Sequence, residues 1–138
     1  MKSRRTNRIE IVNAIYACEL LQNYDLKSIF ENNDHLEMEQ FKQIQKVVSN
    51  VDVFRKVIEK FLEIKTWEQE SPLVRAIILN ATYELFSIPP KVAINEAVEI
   101  TKDFFGEESN LYKHVNKVLD RVYKYSVANE ALIRTMIK

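Results

Sequence analysis

One glycine in 138 residues leaves almost no position where the backbone can turn through positive φ without steric cost. A glycine-rich phosphate loop, of either the P-loop or the dinucleotide type, is thereby excluded. Prolines are also few, at three. A chain so poor in turn residues makes few hairpins, and long helices joined by short links are expected. Cys18 is the only cysteine, which rules out an internal disulfide, suits a reducing compartment and places the thiol in the core. Net charge is missing too. Twenty basic and twenty acidic side chains cancel, so any nucleic-acid binding must come from a local patch. No apolar run reaches the length of a membrane span, and Asn7, Arg8, Glu10 and Asn13 interrupt the stretch a signal peptide needs. The expectation is a cytoplasmic, all-α protein, one domain over residues 1–138, with no membrane association and a core drawn from 46% hydrophobic residues.

What is present is helical periodicity. Thr6 can cap a helix to about Leu21, with Ile9, Val12, Tyr16 and Leu20 on one face and Ile11, Ile15 and Cys18 widening it. Asp25 can cap a short helix to about Asn32, with Leu26, Ile29 and Phe30 inward. A longer pattern runs from about Leu36 to Ile64 through Phe41, Ile44, Val48, Val51, Phe54, Ile58 and Phe61; Ser49-Asn50 can bend it. Ser71-Pro72 marks the start of a helix to about Phe86. It is apolar over most of its circumference, with only Asn80, Glu84 and Ser87 as a polar stripe, so it belongs at the centre. After Pro89-Pro90 the next helix begins near Val92 or is capped by Asn95, and carries Ile94, Ala97, Val98, Thr101 and Phe105 inward. It stops at Gly106, where a left-handed residue is wanted. Ser109 or Asn110 starts another, with Leu111, Val115, Val118, Leu119 and Val122 inward, and a tail helix runs from about Ala128 to Ile137. The total is about seven helices in a single domain.

No catalytic constellation accompanies this frame. His35 and His114 are far apart, and neither has a glutamate three residues before it, so a helical di-iron site is not signalled. Glu96 and Glu99 lie one turn apart on what reads as an exposed face, with Glu99 within reach of Lys102 for a weak ion pair. No enzyme activity, metal or cofactor is expected. Two basic clusters remain. Lys2, Arg4, Arg5 and Arg8 crowd the positive end of the first helix dipole, where cations are unfavourable. Stability supplies no reason for that arrangement, whereas a bound anion would. Lys113, His114, Lys117, Arg121 and Lys124 recur at helical steps with Tyr112, Tyr123 and Tyr125 interleaved. By charge alone either cluster reads first as a solvated face, but arginine forks and aromatic rings are also what holds phosphates and stacks unpaired bases.

The order of motifs is more specific. Arg4-Arg5-Thr6-Asn7-Arg8 precedes Ala14-Ile15-Tyr16; Tyr83-Glu84-Leu85 leads through Pro89-Pro90 to Lys91-Val92-Ala93-Ile94-Asn95-Glu96-Ala97; then comes Val115-Asn116-Lys117-Val118-Leu119-Asp120. This order resembles the NusB family of bacterial transcription antitermination factors. The resemblance implies two packed helical bundles in one domain, as a monomer or homodimer. It also implies binding of a single-stranded boxA RNA together with the ribosomal protein NusE, within an RNA polymerase antitermination complex. It carries an RNA-binding role to Arg4, Arg5, Arg8, Lys113, Val115 and Asn116, and a NusE contact to Val74 and Arg75 at the start of the Pro72 helix. His114 stands where the family has phenylalanine, Lys117 where it has glycine, and Leu79 where it often has arginine; both His114 and Lys117 join the RNA-binding set as cationic positions. Two other readings compete: a helical protein-interaction scaffold without RNA, and the targeting domain of an rRNA methyltransferase. The chain's end at Lys138, short of a cofactor-binding domain, argues against the latter.

Overall fold

Ser3, rather than Thr6, caps the first helix of the computed structural model, which describes residues 2–63 and 65–138. The Ser3 hydroxyl accepts from the Thr6 N–H at 3.0 Å, so α1 spans Arg4–Leu21; Arg4 and Arg5 lie in its first turn and Arg8 at the start of the second. Its buried stripe includes Ile11, Ile15 and Cys18; Leu20, expected inward, lies well round the helix from them and is exposed. Asp25 caps α2 (Leu26–Asn32), accepting from the Ser28 N–H at 3.2 Å. Phe30 is also exposed rather than inward, with its ring edge-on to Phe41 at 5.1 Å between centroids.

The pattern from Leu36 to Ile64 is two helices, α3 (Met38–Ser49) and α4 (Val51–Glu59). Buried Asn50 separates them: its amide donates to the Lys46 carbonyl at 2.7 Å while its Oδ1 accepts from the Lys138 N–H at 2.7 Å. This side chain, anchored to a residue at the other end of the chain, turns a tolerated bend into a break and raises the described helices to eight. The expected terminus at Ile64 lies outside the described residues, and α4 stops earlier, at Glu59.

Ser71 and Pro72 do start α5 (Pro72–Glu84), and ten of its thirteen residues are buried. It packs against α1, α3, α4, α6 and α7, which confirms its central place. The joint Pro89-Pro90 resolves the open start of α6 (Pro90–Phe105), since Pro90 takes the first helical position, where its missing N–H costs nothing. Gly106 ends it with φ 80° and ψ 162°. The φ is positive as expected, but ψ places the residue outside the left-handed helical well, in a region almost restricted to glycine. Asn110, at φ 60°, precedes α7 (Leu111–Ala128), and the Ser109 hydroxyl accepts from the Leu111 N–H at 3.2 Å. Asn129 then separates a short α8 (Glu130–Met136). Helices α1 and α3 pack on α5 and on each other, as do α6 and α7, around one continuous apolar core. Among the described residues no helix is long and apolar enough to cross a membrane.

Candidate nucleic-acid interface

Three of the four N-terminal cations, Lys2, Arg5 and Arg8, find their anions inside the chain. Arg5 Nε donates to Glu96 Oε2 at 2.9 Å. Arg8 Nε donates to both oxygens of Glu84 at 3.1 Å, and its Nη1 lies 3.8 Å from Glu96 Oε1. Lys2 Nζ meets Glu10 Oε1 at 2.8 Å and Gln40 Oε1 at 3.1 Å. The hydrogen bond to Glu96 raises the Arg5 guanidinium above its ordinary value, and the bond from Lys2, with that from Gln40, lowers the Glu10 carboxyl. The premise that only a bound anion can explain this cluster is therefore corrected: carboxylates of α1, α5 and α6 offset the dipole penalty. The polar stripe of α5 takes part. Asn80 and Glu84 are buried, Asn80 Nδ2 donates to Glu84 Oε1 at 3.4 Å, and Gln43 Nε2 donates to Asn80 Oδ1 at 2.8 Å. Glu96, expected on a solvated face, is mostly covered as well, while Glu99 forms the anticipated contact with Lys102 at 3.5 Å.

On α7, Lys113, Asn116 and Lys117 are exposed. Lys117 Nζ is 3.0 Å from Glu63 Oε2, and Arg121 bonds the other oxygen of that carboxylate. The bond from Arg121, then that from Lys117, holds Glu63 below the usual carboxylate range. His114 turns toward the loop before α5, its Nε2 2.8 Å from Glu70 Oε2. Glu70 is 1% exposed. Burial would raise its carboxyl, but the His114 hydrogen bond and charge outweigh that and lower it. Of the cations that the sequence assigned to the interface, Arg4 and Lys113 have no carboxylate partner among the described residues.

Between α6 and α7 runs a groove of 420 Å³, floored by Ile94 and Val98 and edged by Lys91 and Asn95 on α6 and by Asn116, Asp120 and Tyr123 on α7. Lys91, Asn95, Asn116 and Tyr123 make no side-chain hydrogen bond to other described residues, so their polar groups are available to a ligand. Lys91 and Asn95 were not singled out from the sequence as ligands. Their spacing of four on one helix was the signal, but it acquires meaning only with α7 opposite. Helix α6 thus stands between the two clusters: Glu96 faces the arginines of α1, and its neighbour Asn95 faces Asn116.

The sequence profile described as the NusB family matches residues 5–124. The chain belongs to the NusB family. It is 36% identical over 131 residues to the transcription antitermination protein NusB of Shewanella frigidimarina, covering 88% of this chain and 96% of that protein. The protein of the same name from Pseudoalteromonas atlantica is 34% identical over 135 residues, covering 88% and 91%. The solved structure of T. maritima NusB matches with a TM-score of 0.73 at 30% identity, over 89% of this chain and 92% of that one. The fold is accordingly NusB-like, and the chain belongs with non-enzymatic transcription antitermination factors.

Three residues carried over from NusB proteins do not reach the surface. Val115 is fully buried on the inner face of α7 and cannot touch RNA. Val74 is 0% exposed and Arg75 6%. Arg75 Nε donates to Glu19 at 2.6 Å and Nη1 to the carbonyls of Trp67 and Glu70 at 3.1 and 2.9 Å, so its fork is committed internally. The expectation of a partner surface there is corrected: an uncompensated arginine in the core would be costly, and α5 places this one where the loop carbonyls and Glu19 enclose it. Among the described residues no group of three or more His, Cys, Asp or Glu side chains could hold a metal ion.

Proposed function

We propose that this NusB-family chain binds a boxA-like single-stranded RNA together with the ribosomal protein NusE, as part of a cytoplasmic RNA polymerase antitermination complex. Residues 1–138 act as one RNA-binding domain. The observation that carries the reading is the α6–α7 groove, where one cation, two amides and a tyrosine face solvent without internal partners. Amides read base edges, a tyrosine ring stacks an unpaired base, and Lys91 and Lys113 hold backbone phosphate. Arg4 extends this charge at the start of α1, and Lys117 stands one turn beyond Lys113. Arg5, held by Glu96, adds a contact beside this charge; Arg8 lends its charge from the frame, fixed by Glu84, and His114, turned to Glu70 on another side of α7, is an outlying contact.

The test is fluorescence anisotropy with a labelled boxA-like RNA across a salt series, with and without NusE. An Arg4→Ala, Lys113→Ala double variant should bind more weakly, and its log–log salt slope should be shallower by about 1.4, two phosphates at about 0.7 each for a single strand. NusE should tighten wild-type binding. Equal affinity and slope for wild type, double variant and an unrelated RNA would favour the protein scaffold instead.

A further inference from the structure

We propose that Glu96 is an internal competitor for RNA phosphate, occupying Arg5 in the free protein and lowering affinity for polyanions that make no other contact with the groove. This rests on the RNA-binding reading above. The two arginine pairs of α1 differ in a way that singles out Glu96. Arg8 and Glu84 are both largely enclosed, and Glu84 is further held by Asn80, so that pair belongs to the frame. The Arg5 side chain is 42% exposed and gives only its Nε to Glu96; its two terminal NH₂ groups have no partner among the described residues. A guanidinium grips phosphate through the same fork that it offers a carboxylate. A phosphate can therefore take the side of the Arg5 fork that includes Nε only by displacing Glu96, and can take the two terminal NH₂ groups only beside Glu96, against like charge.

The neighbourhood reinforces the competition. Glu99 and Asp103 follow Glu96 along α6, and both act on Arg5 through charge. An acidic ridge beside the arginines penalises every polyanion alike. A strand that also fills the groove at Asn95, Asn116 and Tyr123 offsets the penalty, while a strand held by charge alone does not. Discrimination of this kind is a difference of affinities, achieved by weakening the wrong partner.

The test substitutes Glu96→Gln, which keeps an acceptor for Arg5 Nε and removes the charge. Affinity for boxA-like RNA should rise about three- to tenfold and the salt slope should steepen by about 0.7, one further phosphate neutralised. Affinity for an unrelated RNA should rise more, so discrimination falls. Glu99→Gln makes the same change in net charge but leaves Glu96 on Arg5, and should gain clearly less than Glu96→Gln does. If wild type binds with salt dependence but Glu96→Gln binds equally or more weakly, or if Glu99→Gln gains as much, the competitor role is overturned and RNA binding stands. If wild type shows no salt-dependent RNA binding at all, the RNA reading fails and takes this proposal with it. Should Glu96→Gln fold poorly in urea titration, the wild-type Arg5 Nε–Hε resonance decides. It should move on adding RNA as the bond to Glu96 breaks, and an unmoved resonance at saturating RNA overturns the proposal.

Discussion

Arg8 shows how a side chain that is unfavourable locally becomes necessary in place. One turn into α1 it still adds to the positive end of the helix, yet it is hydrogen-bonded to both oxygens of a Glu84 that is almost without solvent. Truncating it leaves that carboxylate enclosed and unpaired. Arg8→Ala should cost roughly 2–4 kcal/mol in urea unfolding, somewhat below the figure for a fully buried pair because a little solvent reaches Arg8. Adding Glu84→Gln should recover part of the loss, since no charge then remains to be desolvated. Arg5→Ala should cost far less, because its side chain is half in water and its pair with Glu96 is largely screened. Removing both arginines together would confound loss of folding with loss of binding, whereas Arg4 and Lys113 separate the two.

At the level of helices, three positions set where elements stop and how α5 is held. Buried Asn50 makes two partly buried hydrogen bonds, to Lys46 and to Lys138, that alanine cannot replace. Asn50→Ala should destabilise by roughly 1–3 kcal/mol and release the last residues of the chain, as measured by amide exchange at Lys138. Gly106→Ala should be destabilising by about 1–3 kcal/mol, against the small gain expected at a compatible site, because φ 80° with an extended ψ strains any Cβ. A Cβ at this position would also meet the Glu108 carboxylate at 2.5 Å, but that flexible side chain can move, so backbone strain should dominate. Ile78 is wholly enclosed on α5, and Ile78→Ala should cost about 2–5 kcal/mol by chemical denaturation, with a cavity left in the core.

Across the whole molecule, the bond between His114 and Glu70 ties α7 to the loop that precedes α5. Glu70 is held below the usual carboxylate range. A lowered folded-state value means that the unfolded chain takes up the proton first as pH falls. The contribution is therefore complete above about pH 4–5, the ordinary carboxylate range, and is lost as pH drops through the lowered value. The stability gap between wild type and Glu70→Gln, measured by urea titration, should be widest near neutral pH and should close in acid. A gap that widens below pH 4 would contradict this assignment.

The residues by themselves determined what depends on a few neighbours along the chain. Asp25 and Ser71-Pro72 begin helices, Gly106 ends one, the all-round apolar character of α5 places it centrally, and the Lys91–Ala97 motif carries the family. These follow from backbone geometry and from period, both local. Only the tertiary structure decided which charges are free. Arg5 and Glu96 are 91 residues apart in sequence, and Arg8 and Glu84 are 76 apart, yet helix packing brings each pair into contact. The same packing hides Val74, Arg75 and Val115 and aligns Asn95 with Asn116 across a groove. An ion pair or hydrogen bond has substance only within a few ångströms, and which partner comes that close is set by how helices distant in sequence settle against α5.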